Sequence, residues 1–208
     1  LPEWRNNINY QSSASAFESQ GGGVLRDLSH ELDLVNFLFG APKFIYADSR
    51  KISKLDIETD DYLLACGKLG CGAPFNIELN YFSRFNSREI FVETSQESIK
   101  LDLANCNLKV IGDKKSFVEH DIDINSSYKA MHQAIISDNF ENVCSLQEAM
   151  LVLQQIEQIE RLIRAGVSLD IIYEKFIPEV AELLGNQWKS NKVTFVEVSI
   201  GSQRLQRL

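Results

Sequence analysis

From Val24 to Phe39 the apolar positions follow a helical period. Leu28, Leu32, Val35 and Phe39 recur at spacings of four, three and four, so they share one face. Gly40 is suited to end this helix and Pro42 blocks its continuation, which predicts one helix over 24–39. The period then shortens. Residues 43–118 read as strands, with candidates at Lys43–Tyr46, Tyr62–Ala65, Phe75–Arg84, Glu89–Thr94, Ser98–Asp102 and Asn107–Ile111. Asn76-Ile77-Glu78-Leu79-Asn80-Tyr81 alternates polar with apolar, as a half-solvated strand does. Turns at Asn86-Ser87 and Gly112-Asp113 link short strands into an antiparallel meander.

Helical patterning returns at Ser126–Ser137 and at Ser145–Arg164, with Ser145 as N-cap and Gly166 as the stop. A third pattern runs from Ser168 to Leu184, where Pro178 is an awkward interior residue, and Thr194 is a candidate cap for a fourth. Residues 1–20 are polar and irregular, with Trp4, Tyr10 and Phe17 as isolated aromatic anchors. Gly21-Gly22-Gly23 then marks a tight loop. It is not a dinucleotide fingerprint, which needs a preceding strand and further glycines. The expected fold is α+β: an open, mostly antiparallel sheet with helices on one face, followed by a small helical segment.

Composition narrows the function. The net charge is −8, which argues against a broad nucleic-acid surface. No run approaches the roughly 20 apolar residues of a membrane span, and no signal peptide is visible. Cys66, Cys71, Cys106 and Cys144 match no zinc spacing and are expected as reduced thiols in a cytoplasmic protein. Cys66 and Cys71, near Gly67 and Gly70, are expected as buried hydrophobes at a bend. Leu1 in place of Met, and a helical pattern running to Leu208 without a stop signal, predict a fragment.

Candidate chemistry sits just after the glycines. On a continuous helix Asp27 and His30 lie about 60° apart, and Asp33 about another 60° round, away from the apolar stripe. A histidine with a nearby carboxylate is a general acid/base pair, because the carboxylate orients the ring. An exposed polar helix face is the alternative. His120, among Glu119, Asp121 and Asp123, reads as a solvated strand edge, since consecutive residues point opposite ways. His132 reads as a surface or packing residue.

The run Leu1-Pro2-Glu3-Trp4, Tyr10, then Gly21-Gly22-Gly23-Val24-Leu25-Arg26-Asp27-Leu28-Ser29-His30-Glu31-Leu32-Asp33, closed by Phe39-Gly40, resembles the start of the C-terminal domain of the Gfo/Idh/MocA oxidoreductases. The likeness extends to Cys144-Ser145-Leu146-Gln147-Glu148-Ala149 and assigns residues 1–158 to a substrate and sheet domain. It implies hydride transfer between NAD or NADP and a sugar or cyclitol hydroxyl. It also implies His30 as acid/base at the reacting oxygen and Asp27 positioning that oxygen or the ring. Trp4, Tyr10 and Asp33 would line the substrate, and a second copy would pack against the sheet. Many members place one more residue, a glycine, between the Asp and the His; here the spacing is three. No GxGxxG follows a strand and no Glu-Lys-Pro is present, so this chain alone is expected neither to bind NAD(P) nor to turn over substrate.

Residues 159–208 resemble the helical subdomain that precedes cobalamin-binding domains. The likeness rests on Gly166-Val167-Ser168-Leu169-Asp170, Leu184-Gly185-Asn186-Gln187-Trp188 and Phe195-Val196-Glu197-Val198-Ser199. It implies Trp188 as the residue over a corrin; a core anchor is the alternative. Where relatives carry Glu-His, Val198-Ser199 stands here, and the cobalt-ligating Asp-x-His-x-x-Gly is missing, so cobalamin binding is not expected. The competing function is a cobalamin-type regulatory or protein-interaction module.

Overall fold

A computed structural model describes residues 9–113, 115–119, 125–140, 143–166, 177–194 and 198. The described residues form two compact units. One contains those through Arg84 together with Cys144 to Gly166; the other contains Phe85 to Val143 and those from Ile177 on.

The first unit is a three-stranded antiparallel sheet, β1 (Lys43–Arg50), β2 (Tyr62–Lys68) and β3 (Pro74–Asn80), in that order. Helices α1 (Val24–Asp27), α2 (His30–Phe39) and α4 (Leu146–Ala165) share its core. A register irregularity between Phe44 and Tyr46 matters here. In a regular strand Phe44 and Ala47 would face opposite ways; the bulge lets both join the core and turns Tyr46 and Cys66 to the other face. Leu63, Ala65 and Ile159 have no exposed surface, and Val24 and Leu32 almost none. Burying a side chain of Leu or Ile size contributes about 1.5–3 kcal/mol, so this cluster is what fixes the helices on the sheet.

Helix α4 forms as its sequence predicts. Ser145 Oγ accepts from the Glu148 amide at 3.2 Å and Glu148 Oε2 accepts from the Ser145 amide at 2.6 Å, a capping box. Gly166, at φ +59°, closes the other end. Val152, Gln155, Ile156 and Ile159 form its buried stripe, and the helix runs unbroken across the expected boundary at 158/159.

In the second unit β4 (Glu89–Glu93), β5 (Ser98–Asp102), β6 (Asn107–Ile111) and β7 (Lys115–Glu119) form a four-stranded antiparallel meander. Helices α3 (Asn125–Ser137) and α5 (Ile177–Lys189) belong to the same unit. Directly opposed residues point to the same side of a sheet. The register therefore gathers Ile90, Val92, Ile99, Leu101, Leu108, Val110 and Val118 on one face, and none of them is fully buried.

The α+β expectation stands, with differences in detail. The strand expected to reach Arg84 stops at Asn80, whose Oδ1 accepts from the Ser83 amide and turns the chain. Strand β7 joins the meander beyond the last expected strand, Asn107–Ile111. Pro178 lies in the first turn of α5, where its missing N–H is no defect, and that helix continues past Leu184 to Lys189. Cys71 is exposed, while Cys66 is buried as expected. Trp4, His120 and residues 167–176 lie outside the described residues. No helix of the described residues is long and apolar enough to cross a membrane.

Candidate functional site

The glycine loop is shaped by its neighbours on both sides. A side chain on Gly22 would fall on the carbonyl oxygens of Ala14 and Ser15. Gly23, at φ +116°, lies against a carboxylate: a Cβ there would stand 2.5 Å from Asp60 Oδ1. Leaving this cleft, the chain makes the single turn of α1 and then breaks.

The predicted continuous helix over 24–39 is thus two helices. Leu28 leaves helical geometry, with φ −102° and ψ 22°, and the Ser29 amide bonds back to Arg26 O at 3.3 Å in a tighter turn. Asp27 ends α1 and His30 begins α2. Their relation is that of two residues flanking a turn, not two positions on one helical cylinder. Leu28 stays buried across the break, which is why the apolar period hid it.

The His30 imidazole is open to solvent, with 56% of its side chain exposed. Its Nε2 stands 3.2 Å from Oε1 of Glu31, a carboxylate that is 16% exposed. Sequence reasoning paired the ring with Asp27 and passed over Glu31. Asp27 and Asp33 are half-buried, and Asp33 is in the first turn of α2. Tyr10 is half-buried in a short 3-10 turn, Tyr10–Ser12, and packs against the apolar core. Trp188 belongs to α5 in the second unit and is 48% exposed. His132 is exposed on α3.

Both short helices are tied to α4. Arg26 donates to Glu160 Oε1 at 2.6 Å, and Glu160 also faces Arg164 at 3.7 Å. On α2, Asn36 and Gln155 exchange two amide hydrogen bonds, at 3.0 and 2.7 Å, with Gln155 buried. These contacts tie the two helices that carry Asp27 and His30 to α4.

Two adjacent carboxylates in the β1–β2 connection differ in state. For Asp60, burial pushes the carboxyl above its usual range, aided by Asp61, while the Ser49 hydroxyl and the amides of Asp60 and Val24 pull it back. For Asp61, burial also opposes ionisation. The Ser53 hydroxyl, the amides of Ile52 and Ser53, and Lys51 outweigh it and hold the carboxyl below its usual range. Asp61 is fully buried and clamps the 50–53 turn. Burial pushes the Cys66 thiol to about 11, so it is no thiolate nucleophile near neutrality. No cluster of three or more metal-ligating side chains occurs among the described residues.

A family model for the GFO/IDH/MocA C-terminal domain matches residues 3–118, more than half of the chain. Solved structures share the fold. A UDP-N-acetylglucosamine 3-dehydrogenase, GnnA, from Acidithiobacillus ferrooxidans aligns at 20% identity and TM-score 0.58, over 70% of this chain and 48% of that one. An NAD binding oxidoreductase from Klebsiella pneumoniae aligns at 14% identity and TM-score 0.64, over 78% and 54%. The WlbA dehydrogenase from Bordetella pertussis, in complex with NADH and UDP-GlcNAcA, aligns at 20% identity and TM-score 0.55, over 77% and 50%. This chain spans about half the length of these structures. No curated protein matches it.

Proposed function

The chain belongs to the GFO/IDH/MocA C-terminal domain family, and from that premise we propose that it is the substrate-binding part of an NAD(P)-dependent oxidoreductase acting on a sugar hydroxyl. The observation that carries this reading is the solvent-open His30, set beside the Glu31 carboxylate on a helix braced from α4. In such an enzyme His30 would accept the proton of the sugar hydroxyl, or return it in the reverse direction, and a nicotinamide held elsewhere in the complete enzyme would supply the hydride chemistry. Asp27 orients the hydroxyl or the ring, and Asp33, Tyr10 and Trp4 contribute to the sugar's surroundings. The names of two structural neighbours, which carry UDP-linked sugars, favour a nucleotide-linked sugar as substrate.

The residues here do not fit the dinucleotide's pyrophosphate. Such a group needs free amides at a helix N-terminus after a glycine-rich loop. The glycine loop here leads into a helix of four residues, and Gly22 and Gly23 are closed in by Ala14, Ser15 and Asp60. The dinucleotide is therefore expected to be held by another part of the complete enzyme.

A second copy of the chain is the expected partner. The aliphatic face of β4–β7 supports this: seven apolar side chains in register, none fully buried.

The test of the enzymatic reading joins the nucleotide-binding half of a family member ahead of Leu1. NAD(P)H formation is then followed with a panel of UDP-sugars. The expected result is turnover that His30→Ala lowers by about 10²–10⁴-fold in kcat. Turnover indifferent to His30→Ala would remove His30 from the chemistry. A joined enzyme that neither turns over nor binds any of the UDP-sugars would overturn the proposal.

A further inference from the structure

The last glycine of the loop ends beneath Asp60, and this contact reaches the candidate pair. Asp60 Oδ2 accepts from Ser49 Oγ at 2.6 Å. Its Oδ1 lies so close over Gly23 that no side chain fits between them. The opposite wall of the loop is the Ala14–Ala16 turn, against which Gly22 is pressed. Thr59, the neighbour of Asp60, fastens that turn to the same connection by donating to Ser15 O at 2.8 Å. The start of α1 is thereby gripped between two walls. Since α1 is only four residues long and His30 follows after two more, the distance from grip to imidazole is about two turns of chain.

We propose that Asp60 is a positioning residue: its carboxylate, held by Ser49, packs on Gly23 immediately before α1 and so sets where Asp27 and His30 point. This rests on reading His30 as the acid/base group, but the positioning itself can be measured without turnover. Asp60 does not act on substrate. It supplies an acceptor to the Ser49 hydroxyl and a close wall to Gly23. Asp61, one residue on, serves a different segment, the 50–53 turn, and provides an internal control.

The experiment uses the full chain with Asp60→Asn, Ser49→Ala and Asp61→Asn. It follows amide hydrogen exchange together with the ring resonances of His30. Asp60→Asn is expected to speed exchange at Val24–Asp27 by about tenfold or more and to move the His30 ring signals. Ser49→Ala should act in the same direction and less. Asp61→Asn should free the amides of Ile52 and Ser53 and leave the His30 ring signals in place. If Asp60→Asn does not fold, Ser49→Ala, which keeps the carboxylate, decides. Unchanged exchange over 24–33 and unchanged His30 signals in whichever of the two variants folds would overturn the proposal. In the joined enzyme, Asp60→Asn should lower kcat with KM nearly constant. A joined enzyme with no turnover would sink the oxidoreductase reading while leaving the exchange result on Asp60 intact.

Discussion

In the β1–β3 sheet Ala47, Leu63, Ala65 and Leu79 are buried in one core with α1, α2 and α4, whereas the aliphatic face of β4–β7 keeps solvent contact at every position. Strand β3 of one sheet and strands β5 and β6 of the other share an alternation of apolar and polar residues, whereas β1 and β2 carry continuous apolar runs. A covering helix closes the first sheet. Helix α4 brings Val152, Ile156 and Ile159 onto β1–β3 and braces α1 and α2 at Arg26 and Asn36. The candidate pair lies on the unit with the closed core, where packing can hold an imidazole in place. The open face lies on the other unit.

The largest effect that tests this contrast is loss of core volume. Leu63→Ala should cost about 2–5 kcal/mol, the range for a fully buried leucine, whereas Leu101→Ala on the open sheet should cost about 1 kcal/mol or less in the monomer. Denaturant unfolding checks both, and equal losses would erase the distinction. Next comes the amide clasp between α2 and α4. Gln155→Leu strands the Asn36 amide and should cost about 1–3 kcal/mol, of which the double variant with Asn36→Leu should recover a part. The cap on α4 is smaller: Ser145→Ala should lower stability by about 1 kcal/mol.

The pH response sharpens the comparison further. Asp61 in the first unit is held below its usual range, as described above. Asp102 in the second is also held low, by the Asn105 side chain and the amides of Asn105 and Ala104, with burial opposing. Each contributes stability that is complete above the ordinary aspartate value and is lost as pH falls toward its lowered folded value. Asp60 has the opposite sign. Its folded value is raised, so its contribution declines as pH rises from the ordinary aspartate value through the raised one. Melting temperatures followed from neutrality into the acid range should show Asp61→Asn and Asp102→Asn each flattening the acid loss, and Asp60→Asn steepening it.

The elements set by local rules were legible. The Ser145 to Gly166 helix carries its own start and stop, and the six strands proposed before Gly112 follow from alternation alone. The break between Asp27 and His30 was not legible, because Leu28 fits the apolar stripe whether the helix continues or turns. The contact of Asp60 with Gly23 was invisible for another reason. It joins a loop before α1 to a connection after β1, and no periodicity records such a contact. Glu31 was passed over because neighbouring residues on a helix normally diverge. Strand β7 offers only Phe117-Val118 as an apolar core, too short a run to stand out.

The central claim is most directly tested by titrating the intact chain with a UDP-sugar while observing its imidazole and amide resonances. The account predicts saturable shifts of the His30 ring and of amides across residues 24–33, with smaller changes in β4–β7. Saturable binding that leaves His30 and its flanking amides unmoved, or the absence of any shift at all, would contradict it.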